Sequence, residues 1–138
     1  MDQVHLIMRT FKIKTNTRAE FVDVTDTVRR AAAEAGVVDG MCFVYVPHTT
    51  AGITINEGAD PAVQADIISH LEKLVPHHAA WRHTEGNADA HVKATLVGSS
   101  VAIPIEAGQL ALGTWQAVYF CEFDGPRSRS LHVKVIKG

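Results

Sequence analysis

The chain alternates between two kinds of hydrophobic pattern. Val4 to Lys14 switches between polar and apolar residues, most clearly in Phe11-Lys-Ile-Lys14, which predicts a strand with one wet face. Glu20 to Val24 reads as a second short strand. Asp26 to Ala35 is alanine-rich, follows the N-cap residues Asp23 and Thr25, and is closed by Gly36, which predicts a helix. Asp39-Gly40 marks a turn, and the unbroken apolar run Met41 to Val46 predicts a buried strand that Pro47 ends. Ala51 to Asn56 predicts another strand. Asp60-Pro61 opens a helix with an acidic cap and proline at its first position. Its apolar residues Val63, Ile67, Ile68, Leu71, Leu74 and Val75 recur at helical spacing until Pro76 stops it. Asn87 is placed to cap a short helix from Ala88 to Leu96, closed by Gly98. The last third predicts strands only: Ser100 to Ile105, Leu112 to Phe123 and Leu131 to Ile136. Consecutive strands favour antiparallel pairing. The expected class is α+β, a largely antiparallel sheet or half-barrel with about three helices packed on it.

Length and charge narrow the picture. The 138 residues suit one domain over the whole chain, 1–138. A hydrophobic share of 46% against 20% charged is that of a folded globular chain and excludes disorder. A net charge of −2 argues against a nucleic-acid or anionic-membrane binder, which needs a basic excess. No apolar stretch reaches the ~18 residues of a membrane span, and the start lacks a secretory pattern, so a cytoplasmic location is expected. Cys42 and Cys121 sit in apolar strand-like runs and read as buried free thiols.

Candidate chemistry lies in three polar connections of this apolar scaffold: Pro47 to Gly52, Asn56 to Asp60, and His83 to His91. The third places His83, Glu85, Asn87, Asp89 and His91 at alternate positions, a mixture of imidazole and carboxylate that suits a divalent metal. An extended segment would hold the two histidines roughly 26 Å apart, too far to share an ion. The segment supplies two ligands only if it reverses at Gly86-Asn87, where the glycine permits the bend, and His48, at the end of a buried strand, is the candidate third ligand. Simpler roles compete. Glu85 and Asp89 can be charges stabilising a helix N-terminus, and Thr49 and Thr50 ordinary turn residues.

Near the C-terminus, Glu122 to Arg129 forms a tight turn carrying Arg127 and Arg129, a pair able to clamp a phosphate or to stand as a solvated turn. Ser99, after Gly98, offers a hydroxyl to an anion. Trp115 reads as core or subunit interface rather than a ligand platform.

Four ordered segments resemble one family: His48 to Glu57, Arg82 to His91, Gly113-Thr-Trp-Gln116 and Glu122 to Arg127. They are similar to the signatures of the YjbQ-type family, also labelled secondary thiamine-phosphate synthase. The likeness runs from about Phe11 to Val135, with no departure inside the motifs. It implies an α+β fold assembled as a homotrimer, with polar clefts near subunit boundaries and a histidine-rich metal or anion site at His48, His83 and His91. Three imidazoles with an open position favour Zn²⁺, while Mg²⁺ would look to carboxylates and substrate phosphates. Glu85, Asp89 and Asn87 would then orient ligands or move protons, and Thr49, Thr50, Ser99, Arg127 and Arg129 would bind substrate.

The function expected is a metal-dependent enzyme on a small phosphorylated metabolite. The family label implies coupling of a pyrimidine diphosphate to a thiazole phosphate. A three-histidine hydrolase and a non-enzymatic metal- or metabolite-binding trimer are the alternatives.

Overall fold

The computed structural model describes residues 8–138. Eight strands and three helices follow one another as β1 (Arg9–Lys14), β2 (Glu20–Asp23), α1 (Thr25–Ala35), β3 (Gly40–Tyr45), β4 (Ala51–Glu57), α2 (Pro61–Leu74), α3 (Ala88–Val97), β5 (Ser100–Glu106), β6 (Gln109–Leu110), β7 (Gln116–Glu122) and β8 (Ser128–Lys137). The first residues of the strand expected from Val4 lie outside the described ones.

All pairings are antiparallel. One sheet has the order β1-β8-β3-β5-β6 and the other β2-β7-β4. The fold is α+β, an antiparallel curled half-barrel with three helices. The main core lies between the sheets and under α1. Ile13, Cys42, Val44, Ile103, Leu131 and Val133 of the larger sheet meet Ile53, Val118 and Phe120 of the smaller, closed by Val28, Ala31 and Ala32 of α1. A second core covers the other face of the small sheet, where Ala90 and Ala94 of α3 pack with Ala117, Tyr119, Cys121 and Phe123. The central strand β7 is therefore buried on both faces, and this is why it reads as an unbroken apolar run. Both cysteines are free and buried, and burial pushes the Cys42 thiol up to about 11.

Local chemistry explains the element ends. Asp60 Oδ1 accepts the Ala62 N–H at 3.0 Å and starts α2 as expected. Asp23 accepts both the Thr25 N–H and its hydroxyl, so Thr25 becomes part of α1 and its oxygen accepts the Val118 N–H.

Two expectations are corrected. Asn87 stands at the N-cap of α3 without capping it: its side-chain nitrogen donates to Asp124 Oδ2 at 2.9 Å, which turns its oxygen, the group that would accept a helix N–H, into a buried position with no partner among the described residues. The strand expected over 112–123 starts only at Gln116. Before it, the Gln116 N–H bonds the Gly113 carbonyl at 3.1 Å, and the Gln116 side chain accepts the Gly113 N–H at 2.8 Å. This turn lifts Trp115 out of any core, leaving it 65% exposed.

Candidate functional site

The segment after β3 sets up the site. By the β3–β8 register, in which Tyr45 faces His132, residue 47 falls opposite Ser130. That residue is Pro47, which has no N–H and ends the ladder. The next residue folds over the gap, and His48 Nε2 accepts the Ser130 N–H at 2.9 Å. The neutral ring then carries its proton on Nδ1. Burial, reinforced by the positive charge of Arg129, holds His48 below the ordinary histidine range, in keeping with that neutral form.

Helix α3 supplies the opposite wall. A cleft of about 370 Å³ opens between His48, Thr49 and Ala51 on one side and His91, Thr95 and Ser99 on the other. No carboxylate lines it among the described residues. The reversal expected at Gly86 is present, with φ +81°, and it brings His83 against His91. Their rings stand nearly perpendicular, at 77°, with centroids 5.2 Å apart. Glu85 is exposed, with Oε1 3.9 Å from His83 Nε2.

His48, Thr49, Ser99 and His91 are thus brought together, and His83 adjoins His91. Other candidates lie elsewhere. Asp89 is fully buried, and its oxygens take Arg18 Nη1 and Nη2 at 3.2 and 3.0 Å and Lys93 Nζ at 2.9 Å. Burial alone would raise its carboxyl, but these cations outweigh that and hold it below the usual carboxylate range. Lys93, itself 1% exposed, also reaches Glu72 on α2 at 2.6 Å. Asp89 therefore holds α3 to its surroundings.

Arg129 is likewise turned inward. It pairs with Glu122 and donates to the Thr50 hydroxyl at 2.9 Å. Thr15 and the Asp124 N–H complete the shell around Glu122. Arg127 is half-exposed on the rim and held by Asp124 through its carbonyl and Oδ2. Thr50 and Arg129 therefore brace the floor behind His48, while Arg127 faces outward.

Sequence reasoning missed four participants. Thr95 carries the hydroxyl beside His91, Ser130 fixes His48, and Arg18 and Lys93 lock Asp89. Arg18 and Ser130 carry no sequence signal, since each meets its partner across more than 70 residues. Lys93 lies four residues after Asp89, a spacing that pairs charges on a helix, and was legible on that ground.

As a metal site the residues fit in part. Two imidazoles bound tetrahedrally to one Zn²⁺ place their ring centres about 5 Å apart, and His83 and His91 have that separation. His48 does not join them as arranged, because one of its nitrogens accepts the Ser130 N–H and the other is left protonated. No cluster of three metal-ligating side chains occurs among the described residues.

Among the described residues no helix is long and apolar enough to cross a membrane. The family model described as UPF0047 protein YjbQ-like matches residues 9–138. A UPF0047 protein of Methanocaldococcus jannaschii is 54% identical over 126 residues, covering 91% of each chain. YugU of Bacillus subtilis, another UPF0047 protein, is 47% identical and covers 94% of this chain and 99% of its own. A crystal structure of an uncharacterised protein of the same family from Clostridium acetobutylicum superposes with a TM-score of 0.92 at 53% identity, over 93% of this chain and 99% of that one. A match of this length and identity leaves one assignment: the chain belongs to the YjbQ/UPF0047 family.

Proposed function

We propose that the cleft between His48 and His91 processes a small phosphorylated metabolite with the help of a divalent metal held by His83 and His91. One observation carries the reading. A perpendicular histidine pair stands beside a cleft lined by His48, Thr49 and Ser99 and, among the described residues, by no carboxylate. The Thr95 hydroxyl on the same lining is spent on the His91 carbonyl at 2.8 Å. Hydroxyls and neutral imidazole N–H groups donate to phosphate oxygens, whereas a lining carboxylate would repel them. His48, held in one tautomer, is the fixed donor. A bound Zn²⁺, favoured over Mg²⁺ by its nitrogen ligands, supplies Lewis-acid charge or a water of pKa about 7.

The reading includes the cytoplasmic homotrimer that the family resemblance implies, whose neighbouring chain would add to the ligand set. Two reactions share the site. Coupling of a pyrimidine diphosphate to a thiazole phosphate needs two organic substrates, and hydrolysis needs one and water. A cleft of about 370 Å³ lies near the lower end of small-molecule sites and suits one substrate per chain.

The test is elemental analysis of chelator-washed, zinc-reloaded protein, wild type beside His83→Ala, His91→Ala and His48→Asn. The reading expects about one zinc per chain, lost in the first two variants and kept in the third. Wild type that retains no zinc after reloading overturns it. Turnover of a simple phosphomonoester then identifies hydrolysis, and turnover only with both substrates identifies coupling. Metal retention without either leaves a binding protein.

A further inference from the structure

At the far end of the small sheet lies a second hollow, unconnected with the histidines. Strand β4 begins at the histidine cleft with Ala51 and ends at the hollow with Glu57, which faces Gln116. Seven residues of strand separate the two by roughly 20 Å, too far for one small ligand to bridge within a chain.

The hollow has a volume of about 300 Å³ and is lined by Asp26, Arg29, Gly58, Thr114, Trp115 and Gln116, with others. Its floor is rigid backbone. The Gly58 N–H donates to the Trp115 carbonyl at 2.7 Å, and a Cβ at Gly58 would stand 2.8 Å from that of Ala117. Gln116 clamps the turn through Gly113 on its other side. An indole 65% exposed is therefore held on a backbone fixed from both sides. Arginine and carboxylate project beside it: Asp26 and Arg29 lie one turn apart on α1, are both exposed, and enter none of these hydrogen bonds. The Gln116 amide nitrogen adds a donor, since its oxygen is taken by Gly113.

We propose that this hollow binds a flat nitrogen heterocycle bearing an N–H donor on its edge. The ring stacks on Trp115, Asp26 accepts the N–H, and Arg29 or the Gln116 amide donates to a ring or exocyclic acceptor. The indole supplies stacking area, and Asp26 and Arg29, of opposite sign, read an edge that both donates and accepts, while Asp23, also on the lining, accepts the Thr25 N–H and hydroxyl. This site is separate from the phosphate chemistry proposed for the histidine cleft and stands or falls independently of it.

The test uses the full chain with Trp81→Phe, which leaves Trp115 as the sole indole because the chain has two tryptophans. Its fluorescence is titrated with adenosine, and in parallel with N6,N6-dimethyladenosine, the same ring without the N–H that Asp26 accepts. The expected result is saturable quenching by adenosine, weakened about tenfold or more in Asp26→Asn and with the dimethyl compound, as loss of one charged hydrogen bond predicts. Linear, unsaturable quenching that is equal for both compounds overturns the proposal. So does an emission shift that follows protein concentration without ligand, which would show a second copy covering Trp115.

Discussion

The imidazole of His48 stands 2.9 Å from the backbone nitrogen of Ser130, taking a hydrogen bond opposite the point where Pro47 ends the β3–β8 ladder. The contact spans 82 residues of sequence and turns a candidate metal ligand into a fixed donor. Nitrogen-resolved NMR of the imidazoles is expected to show His48 protonated on Nδ1 and titrating below its ordinary 6.5. A ring protonated on Nε2 at neutral pH would contradict this. His48→Ala leaves the Ser130 N–H without its partner and should cost about 1–3 kcal/mol in denaturant unfolding.

The Asp89–Lys93 pair has the opposite character, being sealed and structural. Both side chains are at most 1% exposed, and Arg18 and Glu72 complete the group. Lys93→Ala removes a buried cation from between two carboxylates and should cost about 3–5 kcal/mol. Because Asp89 and His91 share the first turns of α3, Asp89→Ala should lower metal retention as well as melting temperature. A variant with wild-type stability would refute the structural role.

Acid sensitivity should come from two carboxylates. Burial alone would raise Glu122, and the Arg129 hydrogen bond, with those of Asp124 and Thr15, outweighs it and depresses the group. Asp89 is depressed in the same sense by Arg18 and Lys93. A carboxyl whose folded value lies below its unfolded one stabilises the protein above the unfolded value and loses that contribution as pH falls through the folded one. Unfolding free energy should therefore fall steadily below the ordinary glutamate and aspartate values of 4.5 and 3.8. The fall should be shallower in Glu122→Gln, which has already lost the linkage. Equal pH slopes in the two proteins would exclude it.

Gly52 lets β4 lie against the end of α3. A Cβ there would stand 2.7 Å from the Gly98 carbonyl oxygen and 3.1 Å from Val97. The adjacent Ile53 N–H bonds that same carbonyl at 3.0 Å, so neither strand nor helix end can retreat without losing it. Gly52→Ala should destabilise by about 1–3 kcal/mol. It should also widen the cleft edge at Ala51 and Ser99, to be read as weaker binding of inorganic phosphate.

The sequence by itself determined the order of the main strands and helices and the antiparallel α+β class, and it named Gly86-Asn87 as the point where a reversal would have to pair His83 with His91. Each of these rests on local pattern: apolar periodicity, the Asp60-Pro61 start of α2, and a glycine at 86 free to adopt positive φ. It also placed His48, Thr49 and Ser99 at the ends of elements, where they do meet His91. Only the tertiary structure decided which polar groups face solvent. Arg129 and Asp89 look like site residues because both stand among polar neighbours, yet Arg129 is consumed by Glu122 seven residues before it and by remote Thr50, and Asp89 by Lys93 on its own helix and by remote Arg18. Trp115 looks like core in an apolar segment, yet the Gly113–Gln116 turn lifts it outward. The physical reason is that burial of a charge or an indole depends on what packs against it. Remote Thr50 and Arg18 reach Arg129 and Asp89 only through the fold, and the Gly113–Gln116 turn carries Trp115 away from the core.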